Sequence, residues 1–146
     1  MIEVVSQNNI EEVLPLIREY QEFYEVSDIS DEKNLEFFSQ FGESLHTGCQ
    51  FLKRVQGAPV GFATVYFTFA SSITSKVGVL NDLYVSPSKR GEGIGRELIE
   101  HCKVYAGKMG AARLQWLTAE DNEAAKILYN SIGAKKSLWY FYGYNT

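Results

Sequence analysis

The segment VGVLNDLYVSPSKRGEGIGRELIEHCKVYAGKM, Val77 to Met109, constrains the fold more than any other part of the chain. It opens with a nine-residue run, apolar but for Asn81-Asp82, that reads as a strand halted at Ser86-Pro87. It ends in a helical stretch from Gly93 to about Met109, with Ile94, Leu98, Ile99, Cys102 and Tyr105 on one face. Between them stands RGEGIG, Arg90 to Gly95, with three glycines at alternate positions. A helix start leaves backbone N–H groups unpaired, and the macrodipole puts partial positive charge there. Glycines let an anion come close to those donors. The junction therefore predicts a phosphate cradle between a strand and a helix.

Which cradle can be narrowed. The dinucleotide pattern G-x-G-x-x-G fails, because Arg96 stands where the last glycine belongs. The P-loop pattern fails as well, because the loop carries no Gly-Lys dipeptide. What remains is Arg-x-x-Gly-x-Gly, with Arg90, Gly93 and Gly95 in the fixed places.

The rest of the chain arranges elements around this junction. Ile2 to Val5 reads as a short strand. Asn8 or Asn9 can cap a helix carrying Leu14, Ile17, Tyr20 and Tyr24, with Pro15 near its start or kinking it. Leu35, Phe38, Phe41 and Leu45 suggest a second helix, capped by Ser30 or Asp31 and ended by Gly48. The period then drops to that of strands. CQFLKRVQ and PVGFATVYFTFA read as a pair joined at Gln56-Gly57, and SSITSK as the turn that follows. After the glycine-loop helix come a strand, RLQWLT, a helix from Asn122 to Ile132 ended by Gly133, and a closing aromatic strand, KSLWYFYGY. The order β-α-α-β-β-β-α-β-α-β predicts one mixed α/β domain over residues 1–146.

Composition excludes several classes. With 146 residues the chain can bury a core without staples. A net charge of −4 argues against general attraction to nucleic acid. Cys49 and Cys102 make neither a disulfide framework nor a metal cluster, so no metal is expected. MIEVVSQNNI lacks the basic-then-apolar pattern of a secretory leader, and no apolar run is long enough for a membrane span. The expectation is a cytoplasmic protein with no membrane or nucleic-acid partner.

VLNDLYVSPSKRGEGIGRELI resembles the coenzyme A-binding motif of the GNAT N-acetyltransferases, [Arg/Gln]-x-x-Gly-x-[Gly/Ala] at a strand-loop-helix junction. The element order fits that fold over nearly the whole chain. The resemblance implies a mostly antiparallel mixed sheet of about six to seven strands, splayed in the middle and flanked by four helices. It implies that the backbone N–H groups of Gly91, Glu92, Gly93, Ile94, Gly95 and Arg96 hold the pyrophosphate of acetyl-CoA, with charge-assisted bonds added by Arg90 or Arg96. Leu83, Tyr84 and Val85 would meet the pantetheine arm along a bulged, splayed strand, with side chains serving as core and cleft wall. Asn122 would bond the pantetheine or anchor its loop, or act only as a helix cap. A homodimer is also implied, and exposed aromatics of the last strand could make its contact or complete the core.

Transfer of acetyl to an amine needs a neutral amine, a stabilised oxyanion and a proton for the departing thiolate. By the resemblance, Tyr129 in DNEAAKILYNSIGAKK is the candidate acid. A phenol with pKa near 10 is protonated at neutral pH. GFATVYFTFASSITSKVGVLNDLYVSP is similar to the diamine, polyamine and thialysine acetyltransferase branch, which carries Glu-Asp before the Leu-Tyr-Val-like tripeptide. Here Asn81 takes the glutamate position, and an amide is no base. Asp82 remains, as base or as a holder of a cationic substrate, although strand alternation turns it away from position 81 unless a bulge re-aims it. A water chain could carry the proton instead. The acceptor implied is a small primary amine: a diamine, a polyamine or a lysine-like amino acid. A protein amine, or coenzyme binding without useful turnover, stand as alternatives. Glu22, Glu25, Asp28, Asp31 and Glu32 cluster on the acceptor side as an ammonium site or a solvated acidic surface. Tyr24, Tyr66 and Phe67 could wall a cation or lie in the core. His101 and Cys102 read as structural.

Overall fold

The computed structural model describes residues 1–146. One sheet runs in the order β1 (Ile2–Val4), β2 (Gly48–Val55), β3 (Ala58–Ala70), β4 (Ser75–Val85), β5 (Leu114–Gln115). The first four strands are antiparallel, and β5 joins β4 in parallel. Four helices cover the sheet: α1 (Ile10–Phe23), α2 (Asp31–Phe38), α3 (Ile94–Lys108) and α4 (Glu123–Ser131).

Each face of the sheet buries its own apolar stripe. Val13, Leu16 and Ile17 of α1 meet Phe38, Leu52, Phe62 and Tyr84 on one side. Leu98, Ile99, Cys102 and Tyr105 of α3 meet Phe51, Ala63, Val65 and Leu80 on the other. Alternation along β3 serves both cores, with Phe62 facing one and Ala63 and Val65 facing the other. Gln56 and Gly57, both at positive φ (51° and 80°), make the tight β2–β3 connection.

Two expectations about the helices change. The second helix ends at Phe38 rather than reaching Leu45. The Thr47 hydroxyl donates to the Gln40 carbonyl (2.7 Å) and the Gly42 N–H to Gly48 O (2.8 Å), which pulls that stretch into the approach to β2. Asn9 takes the cap position of α1 without capping it by side chain. Its Oδ1 accepts the Ser6 N–H (2.7 Å) and its Nδ2 donates to Glu3 and to the Val4 carbonyl, tying β1 to the helix start. Pro15 lies in the second turn of α1, and the helix continues through it.

The largest change is the strand count, five rather than six to seven. The closing segment KSLWYFYGY forms no strand, and no backbone hydrogen bond is made beyond Ala134. Leu138, Trp139, Tyr140, Phe141, Tyr142 and Tyr144 are 85–99 % exposed. A strand exists only through pairing, and β-rich composition alone does not supply a neighbour. RLQWLT likewise shrinks to the two residues of β5.

Candidate active site

The site begins with one extra residue in β4. Val65 pairs with Leu80 and Thr64 with Asp82, so Asn81 is unpaired and makes a β-bulge. Side chains two apart on a regular strand share a face. The bulge breaks that rule: Leu80 packs in the α3 core, whereas Asp82 pairs with Thr64 on the α1/α2 face. Without it Asp82 would enter the apolar core beside Leu80. Asn81 and Asp82 both line one cavity of about 360 Å³, bounded by α1, α2 and β4.

Asp82 ends a polar row across three strands. Gln50, Thr64 and Asp82 lie opposite one another by register and are 1 %, 0 % and 5 % exposed. Gln50 Nε2 donates to Thr64 Oγ1 (3.2 Å). Asn81 Nδ2 donates to Asp82 Oδ1 (3.2 Å), and Oδ2 has no donor in the protein. Burial pushes the Asp82 carboxyl above the ordinary carboxylate range, against the opposing pull of the neighbouring Thr64 and Tyr20 hydroxyls and the Asn81 amide. A buried carboxylate without a donor on one oxygen is poised to take a proton or a cationic hydrogen-bond donor.

Tyr20 is the residue that sequence reasoning left in the core. It packs edge-on against Phe62 (5.7 Å) and Tyr24 (4.9 Å) and lines the same cavity. Burial first, and then the Asp82 charge, raise its phenol far above the usual value. Its position at the end of the stripe Val13, Leu16, Ile17 was the available signal: a phenol there ends a buried face with a polar tip. Tyr20 and Asn34 share the cavity wall with Gln21, whose amide exchanges two 2.8 Å hydrogen bonds with Asn34 and clamps α1 to α2.

Beyond the bulge β4 parts from β5. Pairing between them covers only Gly78–Leu114 and Val79–Gln115. Leu83, Tyr84 and Val85 keep β3 on one edge and have no strand on the other. Their side chains are core and wall. Tyr84 lies in the α1 core with its hydroxyl donating to Glu19 (3.0 Å), and Leu83 and Val85 pack toward α3.

At the glycine loop, none of the backbone N–H groups of residues 91–96 reaches a protein carbonyl. The first helical bond is Glu97 N–H to Gly93 O, 3.0 Å. Gly91 and Gly93 sit at φ 80° and 83°, where other residues are strained, and a Cβ at either would meet only open space. Six free donors at the positive end of a fifteen-residue helix fit a pyrophosphate. Gly95 serves packing too, since a Cβ there would come within 3.2 Å of the Leu128 side chain on α4. The two arginines differ. Arg90 is folded back, its Nε donating to Val85 O (3.0 Å) and its guanidinium over the rings of Tyr84 and Phe23. Arg96 is exposed in the first turn of α3. Ile94 is buried beneath the loop, and Glu92 reaches toward Lys89 (3.7 Å).

Across the splay, Asn122 caps α4 by accepting the Ala125 N–H (3.2 Å). Tyr129, half-buried, sets its ring edge-on to Trp116 at 5.2 Å. Burial, with Tyr24 nearby, raises its phenol, and Tyr129 in turn adds to the rise of Tyr20. Asp82 of β4 and Tyr20 of α1 thus line one cavity, and Tyr24 and Tyr129 are not among its lining residues. Other residues singled out in the sequence lie apart, His101 as the structural residue the sequence predicts. His101 stacks edge-on to Phe51, and Lys76 covers Phe67 at 4.6 Å. Of the acidic cluster, Asp28 lines the cavity and Asp31 pairs with Arg18 (3.0 Å).

The sequence and the fold are similar to those of known proteins. The sequence profile of the acetyltransferase (GNAT) family matches residues 13–134. An uncharacterized N-acetyltransferase of Bacillus subtilis, YhfO, is 34 % identical over 121 residues, covering 83 % of this chain and 80 % of its own. The thialysine N-epsilon-acetyltransferase of Bos taurus is 30 % identical, covering 92 % of this chain and 84 % of its own. The crystal structure of a probable acetyltransferase superposes with a TM-score of 0.85 at 26 % identity, over 100 % of this chain and 97 % of that one.

Proposed function

The chain belongs to the acetyltransferase (GNAT) family, and on that premise we propose that it acetylates a small primary amine by direct attack in a ternary complex. It is an acetyltransferase, and acetyl-CoA is its acetyl donor. The class of amine proposed is a diamine, a polyamine or a lysine-like amino acid. The observation that carries the reading is the pairing of two features: the donor loop at 91–96 and the cavity floored by Asp82, on either side of the β4 splay.

In this reading the N–H groups of Gly91 to Arg96 hold the pyrophosphate, and Arg96 adds a charge-assisted bond. Arg90 braces the end of β4 by its bond to Val85. The free edge of Leu83–Val85 takes the pantetheine amides as an added strand would. Asn122 holds the start of α4 in place. Asp82 Oδ2 accepts one proton from the incoming ammonium. The neutral nitrogen then bonds to the acetyl carbon as the C–S bond breaks, and the Tyr129 hydroxyl protonates the sulfur. The second proton released by nitrogen restores the phenol, and the proton on Asp82 passes to solvent. Residues 1–146 act as one catalytic domain.

The test is release of free coenzyme A thiol from acetyl-CoA against putrescine, spermidine, lysine and an N-terminal peptide. Turnover on a small amine is expected. Failure to bind acetyl-CoA would overturn the assignment of the 91–96 loop, and turnover confined to the peptide would overturn the small acceptor.

We also propose a homodimer in the cytoplasm. The exposed aromatic tail supports the first, since each such side chain gains about 1.5–3 kcal/mol when buried. Sedimentation should give twice the 16.5 kDa of one chain, falling to the single mass when the chain is cut after Ala134. A monomer before cutting would refute it. Two unpaired, buried thiols, Cys49 and Cys102, support a reducing compartment, which cell fractionation checks.

A further inference from the structure

The face of the sheet beneath α1 and α2 carries two adjacent rows of opposite character. Leu52, Phe62 and Tyr84 lie opposite one another across β2, β3 and β4 and belong to the core. Two residues along each strand, the next row is Gln50, Thr64 and Asp82, as deeply buried and wholly polar. Interior polar side chains cost stability unless their hydrogen bonds are met, so packing alone favours apolar residues at all three places.

The bonding within the polar row has a direction. Gln50 Nε2 donates to Thr64 Oγ1 (3.2 Å), so the hydroxyl oxygen is an acceptor on that side. Its own proton is left to give, and across the ladder Asp82 Oδ2 has no donor. Directly opposed side chains stand about 4.5–5.5 Å apart at Cβ, within reach of a hydroxyl and a carboxylate. Turning the Gln50 amide over would send the Thr64 proton to Gln50. That would leave the amide N–H groups and Asp82 Oδ2 both unmet, where the present arrangement leaves Gln50 Oε1 alone once Thr64 serves Asp82.

We propose that Thr64 is a positioning residue for Asp82: with its oxygen held by Gln50, its hydroxyl turns its proton to the Asp82 carboxylate and fixes that group, ionised, at the cavity floor. The inference rests on the reading of Asp82 as the base and adds the two residues that ready it. Burial pushes the Asp82 carboxyl up, and the Thr64 hydroxyl is the first of the groups that oppose that push, ahead of Tyr20 and Asn81. A carboxylate has lone pairs for the hydroxyl and for an incoming ammonium at once. Neither Gln50 nor Thr64 lines the cavity, so both act through Asp82 and not on the amine.

The experiment follows kcat/KM against pH and, separately, the Asp82 carboxyl by ¹³C NMR of aspartate-labelled protein, its signal identified by its loss in Asp82→Asn. Thr64→Val keeps the branched shape in β3 and removes the hydroxyl. It should move the Asp82 titration, and with it the acid limb of kcat/KM, upward by about one to two pH units, the worth of a hydrogen bond to a charged group. Thr64→Ser should restore the wild-type position. Gln50→Leu should give a smaller shift in the same direction, and none on top of Thr64→Val, because it acts only through the hydroxyl. The titratable and charged groups that share the cavity with Asp82, namely Tyr20, Asp28 and Lys33, are unchanged in these variants. Affinity for coenzyme A should stay at its wild-type value, which reports an intact fold. An unmoved titration in Thr64→Val or Gln50→Leu, a serine variant shifted as far as the valine one, or additive shifts in the double variant would overturn the proposal. Failure of the base reading shows separately: Asp82→Asn would stay active while the NMR shift in Thr64→Val still upheld the contact.

Discussion

Asp82→Asn should lower kcat/KM for amine acetylation by about 10²- to 10⁴-fold, the span of a lost general base, with affinity for coenzyme A unchanged. The substitution keeps the shape of the side chain and an oxygen for the Asn81 amide to donate to (3.2 Å). It removes the oxygen that has no donor in the protein and the negative charge at the cavity floor. An activity within a few-fold of wild type would assign proton removal to solvent instead. The same variant makes a second, signed prediction. Burial holds the Asp82 carboxyl above the value near 3.9 of an unfolded chain. Stability tied to its protonated form is complete below that value and is lost as pH rises through the folded one. Asp82→Asn escapes the loss. Its melting temperature should exceed wild type at pH 7–8, and the gap should close as the pH falls toward 4. A variant that gains stability while losing activity would identify Asp82 as a group held at a cost to the fold.

Tyr129→Phe should lower kcat by about 10²-fold, the lower end for loss of a positioned acid, while the KM for acetyl-CoA stays put. Phenylalanine preserves the edge-on contact with Trp116 at 5.2 Å, so packing of α4 is not the variable. Because burial raises the phenol above its ordinary value near 10, wild-type turnover should show no alkaline fall from this group below about pH 10. Full activity in the phenylalanine variant would take Tyr129 out of the reaction. A joint loss of kcat and coenzyme affinity would make it a wall of the binding cleft only.

Sequence alone determined what local physics controls. The alternating glycines between Arg90 and Gly95, followed by the stripe Ile94, Leu98, Ile99, Cys102, Tyr105, specified a helix start with free N–H donors, and every residue of that stripe is buried. Ser30 and Asn122 cap the helices they precede, because a cap acts within three residues. Gln56-Gly57 closes its hairpin for the same reason. Pairing lay outside that reach. Strand alternation turned Asp82 away from the position of Asn81, and only the register of β4 on β3 shows that Asn81 is a bulge and both face one cavity. Tyr20 looked like one more apolar position of α1 until Asp82 came up beneath it. The tail's composition predicted a strand, yet nothing in this chain pairs with it. Caps, turns and helix stripes are set by residues a few positions apart. A strand's face, a buried carboxylate's surroundings and an edge's partner depend on residues brought together from afar, and those belong to the tertiary structure.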